Sequence, residues 1–129
     1  MAKELISAAD MKAYSQHGET KQLNKVFSNL YDDVVTEIWN TAENTGRFEC
    51  KFQTESMVCD ECKSSDRCIQ ELLPLTNRGY VYIISRVYVE SMHYYYNIYI
   101  SWSGYAPNIH GYPSTVNNKE KIVYSSFIK

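Results

Sequence analysis

Four cysteines fall between positions 50 and 68, at Cys50, Cys59, Cys62 and Cys68. Thiolates are soft ligands that suit a tetrahedral zinc ion, and the gap in Cys59-Asp-Glu-Cys62 lets one turn present two sulfurs. A structural zinc site built from Cys50, Cys59, Cys62 and Cys68 is therefore one reading. The other is a set of buried or idle thiols, because the second pair is split and Cys50 sits where a strand would bury a small apolar side chain. Four thiolates would close the metal shell and leave no open position for catalysis.

The remaining reactive side chains form no centre in sequence. His17, His93 and His110 lie far apart, and none neighbours a nucleophile in a motif with a mechanism. Phosphate-cradling, dinucleotide-binding, zincin and nucleophile-elbow motifs are missing. No enzyme is expected, and no cofactor beyond the structural zinc of the first reading.

The unusual component is tyrosine, which occurs twelve times and concentrates after residue 79. Tyr80, Tyr82, Tyr88, Tyr95 and Tyr99 read as one face, followed by Tyr105 and Tyr112. Tyrosine offers a large rigid area with a polar tip, which suits protein interfaces and can also stack on a nucleotide base. A third use is purely local, in which cross-strand aromatic pairs stabilise a hairpin.

These residues need elements to hold them. Leu23, Phe27, Leu30, Val34 and Ile38 recur at three- and four-residue steps, which predicts a principal helix from about Thr20 to Asn44, closed by Gly46. Its apolar arc extends over Val26 on one flank and Tyr31, Val35, Trp39 and Ala42 on the other. So wide an arc calls for a second packing partner, with Trp39 at its edge. Ahead of it, Ser7-Ala-Ala-Asp10 has the form of a capping box and predicts a short helix ending near His17 and Gly18. Phe48, Cys50 and Phe52 alternate with Glu49 and Lys51 as a strand would. A helix is expected near Cys68–Leu73, ended by Pro74.

Two long strands follow, about 80–90 and 94–102, with a turn near residues 91–93. Val81, Ile83, Val87 and Val89 are grouped with Tyr96, Ile98, Ile100 and Trp102 as the aliphatic face, leaving the tyrosines opposite. Residues 103–120 read as a long loop, and residues 121–128 as an edge strand guarded by lysines. The predicted fold class is α+β, with N-terminal helices packed on a small antiparallel sheet that carries a long Tyr-rich hairpin. The whole chain reads as one domain, helical over 1–46, a strand and Cys-rich connection over 47–79, and antiparallel β over 80–129.

Net charge is −2, and the basic excess of the C-terminal half is slight, so no nucleic-acid footprint is expected. No apolar run approaches the roughly 20 residues that span a bilayer, and the polar start Met1-Ala-Lys-Glu predicts no signal peptide. A cytosolic location with reduced thiols follows as an expectation.

Thr41-Ala-Glu-Asn-Thr-Gly-Arg-Phe-Glu-Cys50, then Leu72-Leu-Pro-Leu75, Arg78-Gly-Tyr-Val-Tyr82 and Tyr96-Asn-Ile-Tyr-Ile-Ser-Trp102 form an ordered series. It resembles a loose group of small proteins of tailed bacteriophages, which share a Gly-Tyr-x-Val … Tyr-x-Ile-Ser-Trp hairpin after a helix. The match covers about residues 23–102 and departs from the group in Met57–Cys68 and beyond Ser103. The resemblance implies a virion or accessory protein, found in the host cytoplasm or the virion, with no catalytic residues to carry over. The leading expectation is a homo-oligomeric structural or interaction protein that meets other phage or host proteins through Trp39 and the tyrosines. One alternative is an anti-defence protein that sequesters a host signalling nucleotide. Another is a small structural-zinc interaction module.

Overall fold

The Ser7 hydroxyl accepts a hydrogen bond from the Asp10 amide at 3.2 Å, and this cap starts the first helix. A computed structural model describes residues 5–90, 93–108 and 120–126. In it α1 (Ala8–Phe27) runs straight through Gly18, and α2 (Leu30–Thr45) begins after a break at Ser28 and Asn29. The expected boundary near Gly18 and the unbroken helix over 20–44 are both corrected. A mid-helix glycine costs only about 1 kcal/mol, whereas Ser28-Asn29 pairs two residues whose side chains compete for backbone hydrogen bonds. Asn29 leaves the helical region at φ −107°, ψ 9° and becomes the N-cap of α2. Phe27 and Leu30, on either side of the break, are both buried, so the break serves packing.

The apolar stripe holds across it, because Phe27, Leu30, Val34 and Ile38 all enter the core. Gly46, at φ 70°, ends α2 in the left-handed conformation that glycine adopts without strain. Next come β1 (Glu49–Gln53) and α3 (Glu61–Asn77), whose N-cap Asp60 accepts from the Lys63 amide at 3.0 Å.

Pro74 does not end α3, contrary to expectation; the helix continues to Asn77. Proline inside a helix costs about 3 kcal/mol. Leu72 and Leu75 flank it at 0 % and 1 % exposure, and two buried leucines contribute roughly 1.5–3 kcal/mol each. Their burial offsets the proline. The stop comes at Gly79, φ 86°, where the Tyr80 amide turns back to the Leu75 carbonyl at 3.1 Å.

β2 (Val81–Glu90), β3 (His93–Ser101) and β4 (Glu120–Ser125) complete an antiparallel sheet in the order β1-β3-β2-β4. The class is therefore α+β, with helices and sheet meeting in one apolar cluster. β4 lies at the edge, as expected, and a register shift opposite Ile84 and Ser85 leaves Val123 as its extra residue. The expected turn residues 91 and 92, most of the expected 103–120 loop and positions 127–128 of the expected last strand lie outside the described residues.

The hairpin register corrects the expected faces. Tyr82 pairs with Ile100, Ile84 with Ile98, Arg86 with Tyr96 and Tyr88 with Tyr94. That side packs on the helices, and it includes Cys50 and Phe52 from β1. Val81, Ile83 and Val87 lie on the opposite side with Tyr95, Asn97 and Tyr99. A one-residue difference in alternation exchanged the roles of the β2 side chains. The cause is physical: Ile83, Ile84, Ser85 and Val87 are all buried, so both faces of β2 are covered and polarity does not mark the inner one.

Candidate interaction surface

Most of the expected tyrosine face is internal. Tyr82 is fully buried, and its hydroxyl lies 3.1 Å from Thr76 Oγ1 on α3. Tyr88, on the same side, donates to Glu61 Oε1 at 2.7 Å. Tyr95 and Tyr99 occupy the other side and are also buried. The single exposed platform expected from Tyr82, Tyr88, Tyr95 and Tyr99 does not form.

Instead, the hydroxyls bind to partners within the protein. Ser64 Oγ, on α3, lies 2.7 Å from the hydroxyls of both Tyr94 and Tyr96. Tyr94 donates onward to the Cys59 carbonyl at 2.6 Å, and Ser65 Oγ is 2.8 Å from the Tyr96 hydroxyl. The Arg86 guanidinium lies 5.7 Å from each of the Tyr94 and Tyr96 ring centres and donates to Ser65 Oγ. Buried polar groups need such partners, and here β2, β3 and the start of α3 supply them to one another. Burial pushes the Tyr94 phenol well above its ordinary range, so it stays a neutral donor. This network is a clasp between sheet and helix, and it offers no hydroxyl to a ligand.

A second polar knot occupies the far side of the sheet. Glu120 Oε2 accepts from Ser85 Oγ, Asn97 Nδ2 and the Tyr99 hydroxyl, the amide bond measuring 3.0 Å. Burial works against the ionised form of Glu120, but these bonds and nearby Lys51 hold its carboxyl below the usual range.

The cysteines do not gather. Cys50 sits on β1 under α2, where burial pushes its thiol up to about 12. Cys68 faces the core from α3, and burial raises it further. Cys59 donates to Gln22 Oε1 on α1 at 2.8 Å, while Cys62 lies exposed in the first turn of α3. Among the described residues no three His, Cys, Asp or Glu side chains are placed to hold an ion. His17 and His93 are exposed, and His110 and Tyr112 lie outside the described residues.

Two expected residues do meet. Tyr31, Val35, Ile38 and Trp39 form one stripe of α2, and Leu75, Arg78 and Tyr80 face it from the α3–β2 turn. Between them is a groove of about 240 Å³. Ile38 and Leu75 make its floor, both below 10 % exposure, whereas Trp39 stands 62 % exposed at its edge. Tyr80 is braced from behind by Trp102, ring centres 6.4 Å apart. Arg78 is the one cation in the lining. Trp39 and Tyr80 were legible as interface residues, but Arg78 and Leu75, though part of the resemblance motifs, carried no sign of a place at this surface, because the turn that brings them beside α2 is set by the packing of α3.

A second exposed feature is the start of α1. Every residue from Leu5 to Gly18 is exposed, including Leu5, Ile6, Met11 and Tyr14, and Phe27 is the only fully buried residue of the helix. Among the described residues the hydrogen bonds from α1 to the body begin at Glu19, which bonds to Lys63 and the Asp60 amide, and Gln22 bonds to the Val58 amide. The first half of α1 is an arm. Tyr105 is 79 % exposed and does not line the groove. No helix among the described residues is long and apolar enough to cross a membrane.

No family model matches the chain, and no curated protein or solved structure matches it. The class is an α+β protein whose helices cover one face of a four-stranded antiparallel sheet, with an aromatic groove and a helical arm exposed.

Proposed function

We propose that this chain is a non-enzymatic interaction protein that assembles with copies of itself. The observation that carries the reading is Trp39, a large aromatic side chain left 62 % exposed at the lip of an apolar groove. Tryptophan is the residue type most enriched among the few that dominate binding energy, and such residues sit beside pockets that a partner fills. The virion or accessory setting rests on the resemblance of residues 23–102 to small tailed-phage proteins. Support for an interaction role over nucleotide sequestration comes from placement: Tyr82, Tyr95 and Tyr99, expected to stack on a base, are buried.

Light scattering on the purified chain at micromolar concentration tests the proposal. The wild type is expected at a multiple of 15.0 kDa, Trp39→Asp at a lower mass, and Asp32→Asn at the wild-type mass. A monomeric wild type whose melting temperature rises with a cyclic nucleotide would replace this reading with the sequestration one.

A further inference from the structure

We infer that the groove beside Trp39 receives the projecting arm of α1 from a second copy of the chain. This deepens the self-association reading and rests on it.

The arm presents what the groove lacks. Ile6, Asp10, Ala13, Tyr14 and His17 share one face of it, and Tyr14 is 69 % exposed at its centre. An amphipathic helix that docks in a groove does so through anchors three, four and seven residues apart. On this face Asp10 and Tyr14 stand four residues apart, roughly 6 Å along the axis and about one turn. In the groove, Tyr31, Trp39 and Tyr80 form aromatic walls over an apolar floor, with Arg78 at the rim. Tyr14 between those rings would make offset or edge contacts, and Asp10 one turn away would meet the Arg78 guanidinium. The charge relation is specific, since the Asp10 carboxylate shows no hydrogen bond or ion pair among the described residues. Among the described residues the Arg78 guanidinium reaches only the Pro74 carbonyl, at 3.4 Å.

The groove's size agrees with this occupant. About 240 Å³ accommodates one or two side chains, not a whole partner domain. The arm does not fill the groove of its own chain, because no α1 residue lines it and residues 5–18 are exposed throughout. A helical segment of about ten residues that gains its hydrogen bonds to the body, among the described residues, only from Glu19 onward is marginal in water, so docking would also stabilise the arm. Arm and groove are different surfaces, so two copies either exchange arms reciprocally in an isologous dimer, or pass them on heterologously so that successive copies close a ring or extend a filament.

Complementation between full-length variants tests this. Tyr14→Asp destroys the arm and leaves the groove; Trp39→Asp does the reverse. Both sites are exposed, and circular dichroism melting checks that each variant stays folded. By light scattering each variant alone should fall to monomer mass, and an equimolar mixture should recover a species of twice that mass. As a second pair, Asp10→Arg and Arg78→Asp should each weaken assembly at least tenfold, and the double substitution should restore it. If Tyr14→Asp keeps the wild-type mass, the arm is not the contact, although self-association stands. If both variants are monomeric and their mixture stays so, the arm-in-groove geometry is overturned. A monomeric wild type would remove both readings.

Discussion

Glu120 Oε2 accepts the Tyr99 hydroxyl at 2.5 Å, a bond that joins the first residue of β4 to β3 across the intervening strand β2. Beyond its backbone ladder to β2, the edge strand is thus tied to β3 by a single carboxylate that also takes Ser85 and Asn97. Because the folded state holds Glu120 below its ordinary carboxyl range, its contribution to stability is present above the unfolded value of about 4.3. That contribution is lost as pH falls through the folded value. The melting temperature of the wild type should drop as the buffer passes from pH 5 towards pH 3. Glu120→Gln should lower the melting temperature at pH 7 and flatten this acid-side slope. An unchanged slope would show that this carboxylate does not account for the acid-side loss of stability.

The register makes Tyr82 a core residue. Ile98→Ala is expected to cost about 2–5 kcal/mol and Tyr82→Ala about 3–5 kcal/mol, both by cavity formation. Tyr82→Phe keeps the volume and loses the hydroxyl's bonds to Thr76 and Tyr124, about 0.5–1.5 kcal/mol each. Urea unfolding of the three variants gives the order. If Tyr82→Ala proved nearly neutral, Tyr82 would lie on an exposed face and the register would be wrong by one residue.

Arg86 is held by shape as well as charge. Its guanidinium contacts two tyrosine rings and donates to Ser65, Tyr88 and Glu61. Lysine keeps the charge but has neither the planar stacking surface nor the fork of donors. Arg86→Lys should therefore destabilise the fold by about 1–3 kcal/mol, measured by denaturant unfolding. Equal stability of the two proteins would mean that the clasp depends on net charge alone.

The thiols should separate by reactivity. Cys62 is exposed, whereas Cys50, Cys59 and Cys68 are buried with thiols raised above their ordinary range. The thiolate is the reactive form, so brief alkylation of native protein should add one label, and denatured protein should take four. Intact mass spectrometry counts them. Protection of Cys62 that a chelator removes would instead reveal the metal site expected from the Cys59–Cys62 spacing.

Some of this molecule is written in short-range pattern. Ser7 with Asp10, Gly46 after Thr45, and the series Phe27, Leu30, Val34 and Ile38 each specify their structure through groups within one or two turns. Sequence alone was therefore enough to place the first cap, the end of α2 and the inward stripe. The α+β class and the hairpin were legible for the same reason. What depended on distant partners was not. Tyrosine is equally at home on a surface or in a core where its hydroxyl is satisfied, and only the arrival of Ser64, Ser65 and Thr76 on α3 draws Tyr94, Tyr96 and Tyr82 inward. Pro74 stops a helix by local rules, yet α3 passes through it because Leu72 and Leu75 meet the core on both sides. Trp39 and Tyr80 become walls of one groove because α2 and the α3–β2 turn pack side by side. Such a relation is fixed by burial summed over the whole chain, and the spacing of residues along the sequence does not contain it.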